Sequence, residues 1–330
     1  MKPAELFDKD LLEKLSVREV GYSELSEPLS YDKFLEWVDK GNHDPLGYLA
    51  DHRKELRSDL KNYYPDFQSA LVFAFDYSGI KKSLDDFYET DASNGLKISS
   101  YVFGFEGQDY HIELRERMNL ILETLKGKYP EISSSYTLDM HPVLERDLAF
   151  KSGLGWFGKN SMLINRKFGS FFMIGSLLLD KRLDLDTLQV ETDHCGNCTA
   201  CVDACPTDAI DVEHRTIISK QCISTWTIEL FDKAPAIRGH AESGSGEIFG
   251  CDICQDVCPW NIKELERNSG KFMSGEKTHL LKSFFLERPV DQVEQELESL
   301  SNNAFVRKFK GTALERTGRK GLLKNIKLVK

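Results

Sequence analysis

The stretch HCGNCTACVDACPTDAI, residues 194–210, sets four cysteines at intervals of three, three and four, with a proline directly after the last. A second run, GCDICQDVCPWN at 250–261, repeats the end of that pattern and again closes on Cys-Pro. The order C-x2-C-x2-C-x3-C-P at Cys195, Cys198, Cys201 and Cys205 is that of bacterial ferredoxins. There three closely spaced thiolates hold one 4Fe-4S cube, and the fourth reaches across to a second cube. Crossing the fourth ligands puts one cluster on Cys195, Cys198, Cys201 and Cys258, and another on Cys205, Cys251 and Cys254. The second set is one thiolate short, and Cys222 is the only cysteine left of the eight. Two tetrahedral zinc sites would also use eight thiolates, but zinc sites are built from separated C-x2-C pairs. They have no use for the triplet or the Cys-Pro endings.

All eight cysteines lie between Cys195 and Cys258. Disulfide frameworks spread their cysteines through a fold, whereas cofactor sites bunch them. The 330 residues, 41% hydrophobic and 29% charged, are enough for one large globular domain and a small one. No apolar run reaches the roughly 18 residues that span a bilayer. The opening MKPAELFDKDLLEKL carries acidic residues where a signal peptide needs an uncharged core. A cytoplasmic protein with no membrane contact is the expectation. Net charge is −10, but from Ala304 to Lys330 nine Lys or Arg stand against Glu315 alone, leaving −18 for residues 1–303. Such a tail is either a solvated helical face or a phosphate-binding patch.

Residues 9–19 and 31–39 read as helices, and SALVFAFDYS (69–78) as a buried strand. YHIELRERMNLILETLKGK (110–128) places Leu114, Met118, Ile121, Leu122 and Leu125 on one helical face. SSSYTLD (133–139) reads as a strand ending in a carboxylate, and PVLERDLAFKSG (142–153) as a helix closed by glycine. SMLIN and FGSFFMIGSLLLD suggest two strands of a hairpin over 161–180, and an acidic helix falls around 290–300. Gly153–Gly158, GLGWFG, matches GxGxxG formally, but a dinucleotide site needs the strand before the glycines and the helix after. The order here is reversed, so these are turn glycines that permit close approach.

Some 190 residues precede the cysteines, too many for a simple electron carrier. They imply a catalytic domain fed by a relay. Its most reactive stretch is LDMHPVLERDLAFKSGLGWFGKNSMLIN, 138–165. Asp139, at a strand end, suits a proton donor if apolar neighbours raise its pKa, or a plain N-cap if not. His141 reads as structural, Lys159 and Asn160 as substrate-orienting or turn residues, and Glu145 and Arg146 as a surface pair.

This block, FGSFFMIGSLLLD, the doubled cysteine motif with QCIS (221–224) between its halves, and FGCDICQDVCPWN (249–261) together resemble the epoxyqueuosine reductases, from about residue 50 to 265. FVRKFKGTALERTGRKGLLKN resembles that family's C-terminal segment, in the short form without helical repeats. The resemblance implies an α+β fold in three parts. These are a mixed α/β cobalamin-binding catalytic domain (1–188), a ferredoxin-like double 4Fe-4S domain (189–265) and a helical C-terminal segment (266–330) with a tRNA-binding tail. It implies reduction of epoxyqueuosine to queuosine at the tRNA wobble position, by a monomer that takes electrons from a ferredoxin or flavodoxin. Cys222 then completes the second cluster. Cobalamin is implied without a protein ligand to cobalt, contacted at Arg57, Asp139, Ser224, Cys251, Asp252, Ile253 and Cys254, with Asp139 as proton donor. The DxHxxG cobalamin motif of other enzymes is absent, since Leu144 stands where its glycine would be. A cobalamin-dependent reductive dehalogenase is the other class with this cofactor set. Arg316, Arg319 and Lys320 are the tail residues expected on tRNA phosphates.

Overall fold

The computed structural model describes residues 1–230, 246–270 and 273–330. They form two compact units, both discontinuous in sequence. The first takes residues 1–76, 113–199 and 211–216, and the second residues 77–112, 200–210 and 217–330.

The first unit is built on SALVFAFD. The strand Ser69–Asp76 is buried along its whole length, which an uninterrupted apolar run requires when both faces of a sheet are covered. Its small residues Ala70, Val72 and Ala74 share a core with Leu148 and Ala149 of the helix Glu145–Lys151. On its other face Phe73 meets the Phe7 ring edge-on, with centroids 5.7 Å apart. The strand order is Val17–Glu24, Ser69–Asp76, Phe172–Leu179, Ser134–Thr137, antiparallel throughout. The amphipathic helix Tyr110–Lys128 forms as read, with Leu114, Met118, Ile121 and Leu125 buried.

Three expectations are corrected. The helix begun at Lys9 stops at Lys14, capped by Asp8, whose carboxylate accepts from the Asp10 and Leu11 N–H groups. Ser16 then turns the chain at φ 58°, and Val17–Glu24 continues as a sheet strand. The hairpin over 161–180 does not form. Leu163–Ile164 pairs back on Trp156–Phe157, while Phe172–Leu179 inserts between two strands of the main sheet. Phe172–Leu179 is apolar on both faces, so the centre of the sheet buries more of it than a two-strand ribbon does. The helix expected over 142–153 begins only at Glu145. It does end on glycine, with Gly153 at φ 77°. The turn glycines approach their own chain, because a Cβ on Gly155 would lie 2.2 Å from the Ile164 carbonyl oxygen.

The second unit has a phenylalanine-rich core of Phe103, Phe249, Phe284, Phe285, Phe305 and Phe309. Around it pack the helix Ser78–Tyr88, the acidic helix Val290–Ser299, which forms where the sequence placed it, and the basic helices Asn302–Lys308 and Leu314–Val329. Gly318, at φ 69°, interrupts the last of these. Among the described residues no helix is long and apolar enough to cross a membrane.

Candidate cluster centre and catalytic loop

The cysteines are reached by short turns and half-helices, none in a disulfide. In the first unit the Cys195 N–H donates to Asp193 Oδ1 at 2.8 Å, and Arg215 fixes that aspartate at 2.7 Å. The Trp156 indole N–H points at Cys195 Sγ, 3.5 Å away, a donor well placed to stabilise thiolate charge. Lys159 Nζ donates to the carbonyls of Gly196 and Cys198 at 2.7 and 2.8 Å. Lys159 therefore braces the loop carrying Cys195 and Cys198, and the GLGWFGK turn is a platform for those thiolates. Only the pairing of Leu163–Ile164 onto Trp156–Phe157 makes this visible, and no periodicity in the sequence announces it.

In the second unit the half-helices Ala200–Asp203 and Ile253–Asp256 pack together and carry Cys201 and Cys254. Cys258 is buried and caps the helix Pro259–Arg267. Its following proline sits at the first helical position, where a missing N–H costs nothing. Cys205 Sγ accepts from the Ala209 N–H at 3.3 Å. Cys222 Sγ accepts from the Ser224 and Thr225 N–H groups, and Cys251 Sγ from that of Ile253.

Burial pushes the Cys222, Cys251 and Cys254 thiols up, and their neighbours push them further. Cys254 is raised by Cys222, Cys201 and Cys205, Cys251 by Cys254 and Cys222, and Cys222 by Cys205. The thiols of both runs thus crowd together; Cys205, Cys251 and Cys254 are the three that the crossed scheme gives to the second cube, and the resemblance adds Cys222 as the fourth. Iron bound to all four relieves that crowding, so the donor set fits a cluster. Among the described residues no three His, Cys, Asp or Glu converge to hold a single metal ion. A cubane takes each thiolate on a different iron.

Arg57 and Asp139 lie in the first unit. Arg57 follows the short helix Arg53–Leu56, donates to the Arg53 carbonyl at 3.0 Å and sits 5.5 Å over the Phe34 ring. Burial lowers its pKa. It lines a small cleft with Leu60, Val143, Leu144 and Asp147. Asp139 is two residues past the strand Ser134–Thr137, in the left-handed region at φ 60°. Its side chain is exposed, not in the dry setting expected from the sequence. The less exposed carboxyl of this loop is Glu145, which is half-buried. Both of its oxygens accept from the Asp139 N–H, at 2.8 and 2.9 Å, and burial with the nearby Asp139 charge pushes it up to about 7. Glu145 and Arg146 are not a surface ion pair, since Arg146 Nη1 donates to the Ser161 carbonyl and hydroxyl instead. His141 packs against Tyr63 and Tyr64, and its buried Nδ1 has no partner among the described residues.

In the second unit Ser224 serves Cys222, as above, and the Asp252 carboxylate accepts from the Ser99 hydroxyl at 2.5 Å and the Ser100 N–H at 2.8 Å. The basic tail is partly neutralised by the acidic helix. Lys308 meets Glu296 at 2.6 Å, Lys327 meets Glu298 at 2.7 Å, and Lys330 meets Glu294 at 2.8 Å. Arg316 pairs with Glu229 at 3.2 Å and Arg319 donates to the Leu297 carbonyl at 3.2 Å. Arg307, Lys310 and Lys320 are exposed and have no such partner among the described residues.

These thiolates, in the ferredoxin order and in a chain that also carries an antiparallel sheet unit, define a double-cluster iron–sulfur protein of the oxidoreductase class. The 4Fe-4S double cluster binding domain family matches residues 194–261, and the family described as epoxyqueuosine reductase QueG, DUF1730 matches residues 57–140. The epoxyqueuosine reductase of Cyclobacterium marinum is 36% identical over 299 residues, 90% of this chain and 87% of its own. The chain belongs to the epoxyqueuosine reductase family. It shares the fold of the Streptococcus thermophilus epoxyqueuosine reductase, at TM-score 0.73 and 20% identity over 98% of this chain and 80% of that one. A structure of an epoxyqueuosine reductase with a tRNA-Tyr epoxyqueuosine-modified stem loop aligns at TM-score 0.71 and 22% identity, over 97% and 80%.

Glu145 carries a testable pH signature. A carboxyl raised in the folded state holds its proton after the unfolded chain has released it, so its contribution falls as pH rises from about 4.5 to about 7. Glu145→Gln should flatten that part of the stability profile and gain on the parent protein as pH approaches 8. Thermal melts across pH 4–8 check this, and parallel profiles for the two proteins would contradict it.

Proposed function

We propose that this protein reduces epoxyqueuosine to queuosine at the wobble position of tRNA, with cobalamin and two 4Fe-4S clusters. What carries the reading is the complete double-cysteine set within a chain related over nine-tenths of its length to an epoxyqueuosine reductase. Converting the epoxide to an alkene and water consumes two electrons and two protons. The clusters deliver electrons singly, from a ferredoxin or flavodoxin. Cobalamin, when bound, supplies a very low-potential nucleophilic metal at which the strained ring is opened. The residues that the resemblance assigns to holding cobalamin are Arg57 and Asp139 in the first unit and Ser224, Cys251, Asp252, Ile253 and Cys254 in the second.

Asp139 hands a proton to the departing oxygen. Its exposure and strained backbone suit a group that meets substrate at the tip of a loop, and Glu145, holding its N–H, fixes where that tip lies. The wobble base leaves the anticodon stack to arrive there. A cytoplasmic monomer with catalytic (1–188), cluster (189–265) and tail (266–330) segments completes the reading. Residues 231–245 of the cluster segment lie outside the described structure.

The tail's contribution narrows to its uncommitted cations. Replacing Arg307, Lys310 and Lys320 together by alanine should weaken tRNA binding and reduce the slope of log affinity against log salt by about 2. Lys327→Ala, already neutralised by Glu298, should do little. Equal binding by the triple variant at several salt concentrations would overturn this role.

The activity itself is tested by nucleoside analysis of epoxyqueuosine-containing tRNA incubated anaerobically with protein, cobalamin and reductant. Queuosine should appear, and its absence would remove the reading. Asp139→Asn should keep its iron and lose turnover by a factor of about 100 or more. Full turnover in that variant would end the proton-donor role while leaving the activity standing.

A further inference from the structure

The second unit buries a cation that the reaction outlined above does not use. Lys81, on the helix Ser78–Tyr88, is only 4% exposed. Lysines are almost never enclosed to this degree without carboxylate partners. Its Nζ lies 2.8 Å from Asp256 Oδ1 and also pairs with Asp85 one helical turn on. Asp252 acts on it electrostatically too, and the three aspartates together hold its pKa above the ordinary value against burial.

The placement of two of these aspartates is what matters. Asp252 directly follows Cys251, and Asp256 falls midway between Cys254 and Cys258. Helix Ile253–Asp256 and its flanks therefore carry three cluster thiolates and two carboxylates within eight residues. The carboxylates are fixed from outside the segment, Asp252 by Ser99 and Ser100, and Asp256 by Lys81. One buried ammonium faces three aspartates beside the ligand loop, and each of them that is ionised adds negative charge there. Reducing a cluster adds an electron, so negative charge nearby opposes reduction and positive charge favours it. Low dielectric keeps such interactions strong inside a protein.

We propose that Lys81 and its aspartates tune the reduction potential of the clusters held by the Cys251–Cys258 loop. The carboxylates hold the potential low, and Lys81 limits how low it falls. The inference rests on the two-cluster reading. A low setting suits a relay that must reduce a very low-potential acceptor, and the lysine keeps the relay within reach of an external donor. Lys81 is a positioning and tuning residue, touching neither substrate nor iron.

The test is an EPR-monitored redox titration of the full chain with both clusters loaded, without tRNA or cobalamin. Lys81→Met should move the midpoint of at least one cluster to a more negative potential. Asp85→Asn, at the half-exposed edge of the network, should move it to a less negative one. A merely structural role for the network predicts no such opposite pair. Midpoints equal to the parent protein's in both variants, or shifts of the same sign, would overturn the proposal. If Lys81→Met loses its iron, Asp85→Asn decides alone, and an unshifted midpoint there refutes it. A parent protein with no cluster signal would refute the two-cluster reading and this inference with it, whereas normal clusters with unmoved midpoints would refute only the inference.

Discussion

Four half-buried thiols gathered in the second unit, Cys205, Cys222, Cys251 and Cys254, are the constraint on which the cluster reading depends. A protein interior does not gather sulfur anions without a cation to share them, and burial pushes the Cys222, Cys251 and Cys254 thiols up. The surrounding structure is consistent with that purpose. N–H groups of Ala209, Ser224, Thr225 and Ile253 point at the sulfurs, and two half-helices are packed so that Cys201 and Cys254 approach. In the first unit Trp156 and Lys159 do the equivalent work for Cys195 and Cys198.

The catalytic loop follows a different logic. Asp139, proposed above as the proton donor, is held through its backbone rather than enclosed. Glu145 accepts the Asp139 N–H with both oxygens, which ties a left-handed residue to the start of the helix Glu145–Lys151. The helix N-terminus favours an ionised carboxylate, while enclosure and the Asp139 charge oppose it, and the opposition prevails. Asp139 is exposed at the tip of this loop, and burial with its charge pushes Glu145 up to about 7.

The double-cluster domain was legible because cysteine spacing is a local property of the chain, and the same is true of the strand at Ser69–Asp76 and the helix at Tyr110–Lys128. What the sequence did not disclose was decided by partners distant in the chain. The segment Phe172–Leu179 is apolar on both faces and reads equally well in a hairpin or at the centre of a sheet. Glu145 and Arg146 look like any exposed pair until one meets the Asp139 amide and the other Ser161. Lys308, Lys327 and Lys330 read as a basic patch until the acidic helix Val290–Ser299 is laid against them. The cobalamin contacts proposed above rest on family resemblance, and no spacing in the chain encodes them.

The central claim is that both cysteine runs interlock around two iron–sulfur cubes, with Cys222 closing the second. Iron and acid-labile sulfide in anaerobically isolated protein test it most directly. The account predicts about eight of each per chain, falling to about four in a folded Cys222→Ala protein. Zinc in place of iron, or a full iron complement in that variant, would contradict it.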